Sequence, residues 1–409
     1  MYLPAPTEKQ MMHLDKKTLG YINNKVAKIV QYHRPAVYVT TIIVTAISIY
    51  GITKIQQIGY MVDDMPEKST VISDLKFFEK NFNGIMPLEI LIDLGKKKSV
   101  YNLKNLNKIE EFEQYLQKEV LVSPPLSILS IIKSATQAFY NDTPENYRIP
   151  TNSEKNFIMK YFSGKNNDLT IIRSFVDTNA QVVRISLKVA DIGTQQMNQF
   201  LNVKLKSKIK EYFGDTDYKV DVTGSSVLFL KGNQFLLNDL TESMIYAFVL
   251  ISLMMALMFT DLKMIIISII PNFIPLLMTA GVMGLFAIRM KISTAVIFSI
   301  SFGITIDTTI HYLSKFKQEI GNPENSVLDA VILSLKESGV SMIYTSIVLI
   351  LGFGIFIFSD FGGTVALGML TCLTLIFALL TNLILLPALL VTFAKKTDRF
   401  VKSKFKDDD

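Results

Sequence analysis

The residues with most chemistry to offer are Asp307 and His311, four positions apart in the run STAVIFSISFGITIDTTIHYLSKFK. On a helix, that spacing sets an acid and an imidazole one turn apart on the same face. Thr308 and Thr309 add hydroxyls close by in sequence. Gly303, four residues before the acid, leaves that face open to another helix. A carboxyl, an imidazole and hydroxyls in a row are the materials of a proton relay. An ionised Asp at mid-membrane costs about 2.5–3.5 kcal/mol, so such acids face a bundle interior or a water path. The competing reading is that both residues sit at an interface and cap or snorkel. It weighs more for His311, which is one turn closer to Lys315.

Other polar or special residues carry weaker signals. Tyr344, Thr345 and Ser346 form a polar patch that can face Asp307 or make ordinary interhelical hydrogen bonds. Pro271 and Pro275 are expected to kink the helix that holds them, and Gly352 and Gly354 to serve as packing points. Asp63–Asp64 reads as a solvated acidic turn.

The elements that must position Asp307 follow from hydropathy. Only 19% of the 409 residues are charged, against about a quarter in soluble domains. Charge is absent from six stretches: Pro35–Thr53, Ser243–Thr260, Met264–Ile288, Ile292–Ile306, Ser338–Ser359 and Phe361–Ala394. A helix needs about 20 mostly apolar residues to cross a hydrocarbon core about 30 Å thick. Five stretches meet or nearly meet that length. The stretch from Ile292 reaches it by continuing through Asp307 and His311 to Leu313. The expected architecture is a polytopic α-helical membrane protein with six transmembrane helices, one and then five. Phe361–Thr364, with its Gly362–Gly363 pair, is expected as a turn leading into the sixth.

Several function classes are excluded. Cys372 is the single cysteine, so no intrachain disulfide forms. No zinc-ligand spacing, phosphate-binding GxxxxGK[ST], GxSxG or HExxH occurs, so no metal, cofactor or catalytic residue is expected and the chain does not read as an enzyme. The pI near 9.0 is explained by basic residues flanking the spans rather than by nucleic-acid binding.

Between Lys54 and Glu242, 24 Lys/Arg nearly balance 23 Asp/Glu, which suits a folded polar domain. Of the 18 basic residues elsewhere, 16 fall on one side of the membrane and only Arg289 and Lys291 on the other. The positive-inside rule then makes 1–34 a cytoplasmic lead, 54–242 an extracytoplasmic domain and 395–409 a cytoplasmic tail. The expected location is the cytoplasmic (inner) membrane. In the polar domain, Leu88–Asp93, Leu169–Val176, Gln181–Val189 and Tyr218–Val222 read as strands. Leu103–Lys118 and Gln195–Tyr212 read as helices. That order is the ferredoxin-like β-α-β-β-α-β plan, with a helical insertion from Pro125 to Phe162. Ser326–Glu337, inside the 243–394 helical region, reads as an amphipathic helix on the cytoplasmic membrane face, with Gly339 marking its join to the fifth span.

With the one-plus-five plan, G-x-x-x-D-x-x-x-H from Gly303 to His311, VTGSSVLFLKG (Val222–Gly232), PNFIPLL (Pro271–Leu277) and NLILLPALL (Asn382–Leu390), the chain resembles the resistance-nodulation-division superfamily. It is most similar to the MMPL branch of lipid exporters. The resemblance implies export of a hydrophobic or lipid-like substrate driven by the proton gradient. It places the coupling acid at Asp307 and the histidine that often follows at His311. Thr308 stands where the branch commonly has a second Asp or a Tyr. Such proteins usually carry two halves in one chain; this sequence holds one, most like a C-terminal half. Its implied partners are therefore membrane lipids and a second half or second copy. The alternatives are a non-transporting membrane sensor or scaffold and a protein-export auxiliary. An intramembrane acid beside a histidine is required by a proton-coupled carrier and gains a scaffold nothing.

Overall fold

The computed structural model describes residues 17–66, 68–162, 169–259 and 262–393. The expected tail at 395–409 and the first sixteen residues of the lead lie outside them. The chain divides into two compact units, one of Met1–Gln57 with Leu236–Asp409 and one of Ile58–Phe235.

Among the described residues, six helices are long and apolar enough to cross a membrane: Arg34–Ile52, Ser225–Leu257, Leu262–Leu285, Ile292–Ile320, Val327–Phe358 and Gly362–Phe393, called here spans one to six. The protein is a polytopic helical membrane protein. Span six is the most enclosed, spans three and four are about half enclosed, and spans one and two are the least covered. The centre of the helical unit is therefore built by spans three, four and six, which pack on one another.

Span one lies against span three along a seam of small residues. A Cβ placed on Gly281 would sit 2.5 Å from the Ser48 Cα, and one on Gly284 would strike the Gly51 carbonyl. Backbone therefore touches backbone, a contact that in lipid is won by dispersion rather than by hydrophobic burial.

Residues 326–337 do not form a separate surface helix. Ser326 caps a helix that runs unbroken as Val327–Gly354, its hydroxyl accepting from the Asp329 N–H while the Asp329 carboxylate accepts from the Ser326 N–H. The apolar stripe Val327, Val331 and Leu335 is buried in one cluster with Val26, Ala27 and Val30 of helix α1 (Lys17–Tyr32) and with Tyr312 and Phe316 of span four. Protein takes up the apolar surface that the periodicity alone assigned to lipid. Gly339 marks no join. It lies mid-helix, where the Asn23 side chain of α1 approaches and donates to the Leu335 carbonyl at 3.2 Å.

In the unit of Ile58–Phe235, three antiparallel strands stand in the order β2-β1-β3: β1 Met86–Asp93, β2 Val182–Val189 and β3 Lys219–Thr223. Alternation puts Met86, Leu88, Ile90 and Ile92 of β1 on the buried face. Leu88 pairs with Leu187 and Ile90 with Ile185. On the outer face Arg184 forks onto Glu89, with both nitrogen–oxygen distances 2.7 Å. Helix α2 (Leu103–Gln117) covers the sheet with Leu106, Ile109, Phe112 and Leu116, the residues its period predicts. The insertion forms helices α3 (Ile128–Phe139) and Asn152–Phe162.

The four-stranded plan does not form among the described residues. Leu169–Arg173 is a short helix rather than part of a strand, and only Val176 bridges to Val183. Val122 and Leu126 make further single bridges to β2. An outer edge satisfied at scattered points leaves the Leu169–Val176 run no ladder to complete, and a short apolar run is ambiguous between helix and strand.

Candidate functional site

Span four presents two faces. At 100° per residue, Gly303, Asp307 and His311 align in one stripe, whereas Thr309 lies about 200° round from Asp307. The stripe is open. The Asp307 and His311 side chains are 68% and 75% exposed, and nothing lies within 4 Å of a Cβ placed on Gly303. His311 Nε2 stands 3.6 Å from Asp307 Oδ1, close enough for an ion pair when the imidazole carries a proton. Toward the chain's C-terminal side, Lys315 is held by Glu319 at 2.8 Å and by Glu337 at 2.7 Å. The imidazole is thus followed by a closed ion-pair cluster.

The opposite face carries a buried polar seam. Thr309 Oγ1 lies 2.7 Å from Asn272 Oδ1 of span three, 2.9 Å from Asn382 Oδ1 of span six and 3.2 Å from the Thr305 carbonyl. Its one proton faces three acceptors and serves one at a time. Asn382 Nδ2 donates to Thr308 Oγ1 at 2.9 Å, and Asn272 Nδ2 to the Ser268 carbonyl at 2.8 Å. Asn382 reaches this point from a π-helical turn, Thr381–Leu385, a local widening often found at functional positions.

Proline explains the neighbouring contact. Pro275 has no N–H, so the Pro271 carbonyl loses its helical donor. Thr381 Oγ1 donates to that carbonyl at 3.0 Å across the helix interface. Both prolines are buried inside span three, and span six supplies what the sequence of span three withholds.

The structure therefore brings Asp307 and His311 together and ties Thr308 and Thr309 into the separate seam. Thr345 donates to the Ser341 carbonyl of its own helix and Ser346 is buried; no hydrogen bond joins either to Asp307 among the described residues. Tyr344 is half-buried. Gly352, like Gly303, borders open space, and Gly354 faces the Cys372 sulfur at 3.9 Å.

Sequence reasoning passed over Asn272 and Asn382 as site residues. Their signal was present: each is an amide in an apolar span next to proline-containing text, a position that is costly unless a partner waits. Thr309→Val keeps the shape and removes the one donor that the two buried amide oxygens share. It is expected to lower stability by about 1–2 kcal/mol. Thr345→Val, whose hydroxyl among the described residues bonds within its own helix, is expected to change little. Thermal unfolding of the two variants in detergent checks the difference.

Six spans around a buried polar seam, with an acid–imidazole pair on an open face, define a polytopic helical membrane protein of transporter-like build. The profile of the MMPL family matches residues 134–406, and the chain belongs to that family. It is also similar to "Putative membrane protein MJ1562" of Methanocaldococcus jannaschii, with 20% identity over 340 residues that cover 80% of this chain and 82% of that protein. The two chains are accordingly of nearly equal length.

Proposed function

We propose that the chain is one half of a secondary transporter that exports a hydrophobic or lipid-like substrate at the expense of the proton gradient. Asp307 is the coupling acid and His311 its proton partner. The observation that carries this reading is the Asp307–His311 pair at 3.6 Å, exposed on a face of span four that Gly303 keeps open. In lipid an ionised acid on such a face is costly. Two events remove the cost: protonation, and cover by a second half or a second copy of this chain. Loading and unloading a proton then biases two arrangements of the helices. The membrane potential adds about 2.3 kcal/mol per charge per 100 mV. The basic-residue asymmetry supports cytoplasmic chain ends, an extracytoplasmic unit of Ile58–Phe235 and residence in the cytoplasmic membrane.

The test uses the full chain in proteoliposomes under an imposed pH gradient, following a fluorescent phospholipid analogue and an entrapped pH dye together. Asp307→Asn, which mimics the protonated acid, is expected to reduce both signals to those of empty liposomes while the protein reconstitutes normally. His311→Ala is expected to slow transport without abolishing it, because water can relay the proton. Equal transport by Asp307→Asn and wild type overturns Asp307 as the coupling acid, and no transport by wild type above empty liposomes overturns the transporter reading in favour of the scaffold.

A further inference from the structure

A second feature of the helical unit is independent of Asp307. A groove of about 390 Å³ runs between spans one, three and six, lined by Val37 and Thr41, by Met278, and by Phe377 and Ile384, with His33 at one end. Its walls are mostly apolar. Along span one it extends from His33 to Val44, about 16 Å at 1.5 Å per residue. That is close to one leaflet of a hydrocarbon core about 30 Å thick.

Charge marks the His33 end. Ile29 also lines the groove, and the His33 N–H donates to the Ile29 carbonyl at 2.8 Å, so the helical turn of α1 continues to His33. Lys25, Ile29 and His33 therefore form one stripe at successive turns. No Asp or Glu occurs between Asp15 and Asp63, and neither Lys25 nor His33 makes an ion pair among the described residues. Lys28 and Arg34 add to the same basic surroundings. An apolar trough one leaflet deep with a basic rim that carries no acidic partner among the described residues fits a molecule with a hydrocarbon tail and an anionic head.

We propose that the groove binds an anionic phospholipid, one acyl chain lying between spans one, three and six and the phosphate against Lys25 and His33. The occupant is a bound lipid of the surrounding leaflet. The site shares no residue with the Asp307 stripe, so it stands whether or not the transport reading does.

The experiment is native mass spectrometry of the full chain in detergent, titrated with dioleoylphosphatidylglycerol or dioleoylphosphatidylcholine. Wild type is expected to retain the anionic lipid in preference to the zwitterionic one. Lys25→Gln is expected to weaken phosphatidylglycerol about fivefold, the worth of one basic residue near a lipid surface, and to leave phosphatidylcholine unchanged. Met278→Trp fills the trough and is expected to remove both. Asp307→Asn is expected to bind as wild type does. Inorganic phosphate in millimolar excess is expected not to displace the lipid, because the acyl chain anchors it. Equal retention of the two lipids by wild type overturns the proposal. So does full displacement by phosphate, which marks a plain anion site, or phosphatidylglycerol retention that neither Lys25→Gln nor Met278→Trp alters.

Discussion

Gly284→Val unseats span one from span three and lowers stability by about 3 kcal/mol or more. The reason is steric and falls on atoms that cannot rotate away. A Cβ at Gly284 would overlap the Gly51 carbonyl oxygen and lie 2.6 Å from the Gly51 carbonyl carbon. Overpacking that side chains can absorb costs about 1–3 kcal/mol; here the obstacle is backbone on both helices, so the helices must part. Gly352→Val is the control. Nothing lies within 4 Å of its new Cβ, and in a helix valine is no worse than glycine, so its stability is expected to stay within about 1 kcal/mol of wild type. Thermal unfolding in detergent, with the fraction of monodisperse protein recovered, compares the two. A Gly284→Val protein as stable as Gly352→Val would show that the small-residue seam is not holding span one.

The second large effect is a pH dependence in the other unit. Glu113 of α2 is buried, and its Oε1 has no hydrogen-bond partner among the described residues. Burial raises its pKa to about 7, against the opposing pull of a hydrogen bond with Ser127 and of Lys133; nearby Glu110 pushes the same way as burial. Lys133 is itself held by Glu110 at 2.6 Å, which blunts its help. Because the folded pKa lies above the unfolded one of 4.5, the folded unit binds the proton more tightly. Its contribution to stability is fully present below pH 4.5, is lost as pH rises toward about 7, and is absent above that. The loss is about 3 kcal/mol at 1.36 kcal/mol per unit. Glu113→Gln, permanently neutral, is expected to remove the dependence. Hydrogen exchange of the full chain, compared at one pH so that intrinsic rates cancel, reads it out. At pH 8.5 the amides of α2 and β1 should exchange roughly a hundredfold more slowly in Glu113→Gln than in wild type. Near pH 4.5 the two proteins should match. Equal protection at pH 8.5 would mean that water or a rearranged lysine relieves the buried carboxylate.

Much of the fold is legible in the sequence because it depends on local pattern. The charge-free runs locate the six spans, and alternation locates β1, β2 and β3 to within two residues at each end. What pattern does not settle is which surface covers an apolar stripe. Val327, Val331 and Leu335 read equally well against lipid or protein, and only the presence of α1 decides between them. The Leu169–Val176 run has β-branched residues but no neighbour to complete a ladder, and it coils instead. The candidate site divides in the same way. The one-turn spacing of Asp307 and His311 is a property of one helix and is found where the spacing puts it. The hydroxyls of Thr308 and Thr309, adjacent to the acid in sequence, turn away by the helical rotation. Their true partners, Asn272 and Asn382, are 37 and 73 residues distant from Thr309. The contact of Gly51 with Gly284 is likewise a pairing between spans that no local window contains.

The Thr381–Pro271 hydrogen bond has a kinematic consequence. An ordinary helix pair in a bilayer can slip along its seam, because each carbonyl is already satisfied within its own helix and lipid is indifferent to register. Spans three and six lack that freedom. If span six advanced by a single residue, about 1.5 Å, the Pro271 carbonyl would be orphaned in hydrocarbon. The same step would pull the Asn382 amide off Thr308 and its oxygen off Thr309. The two latches sit on adjacent residues of span six and engage two different helices, so they lock translation and rotation together. Spans three, four and six are thus tied in one register by these bonds. Span one is held to the same group by its glycine seam with span three, so a rearrangement that keeps these contacts falls to the least covered member, span two.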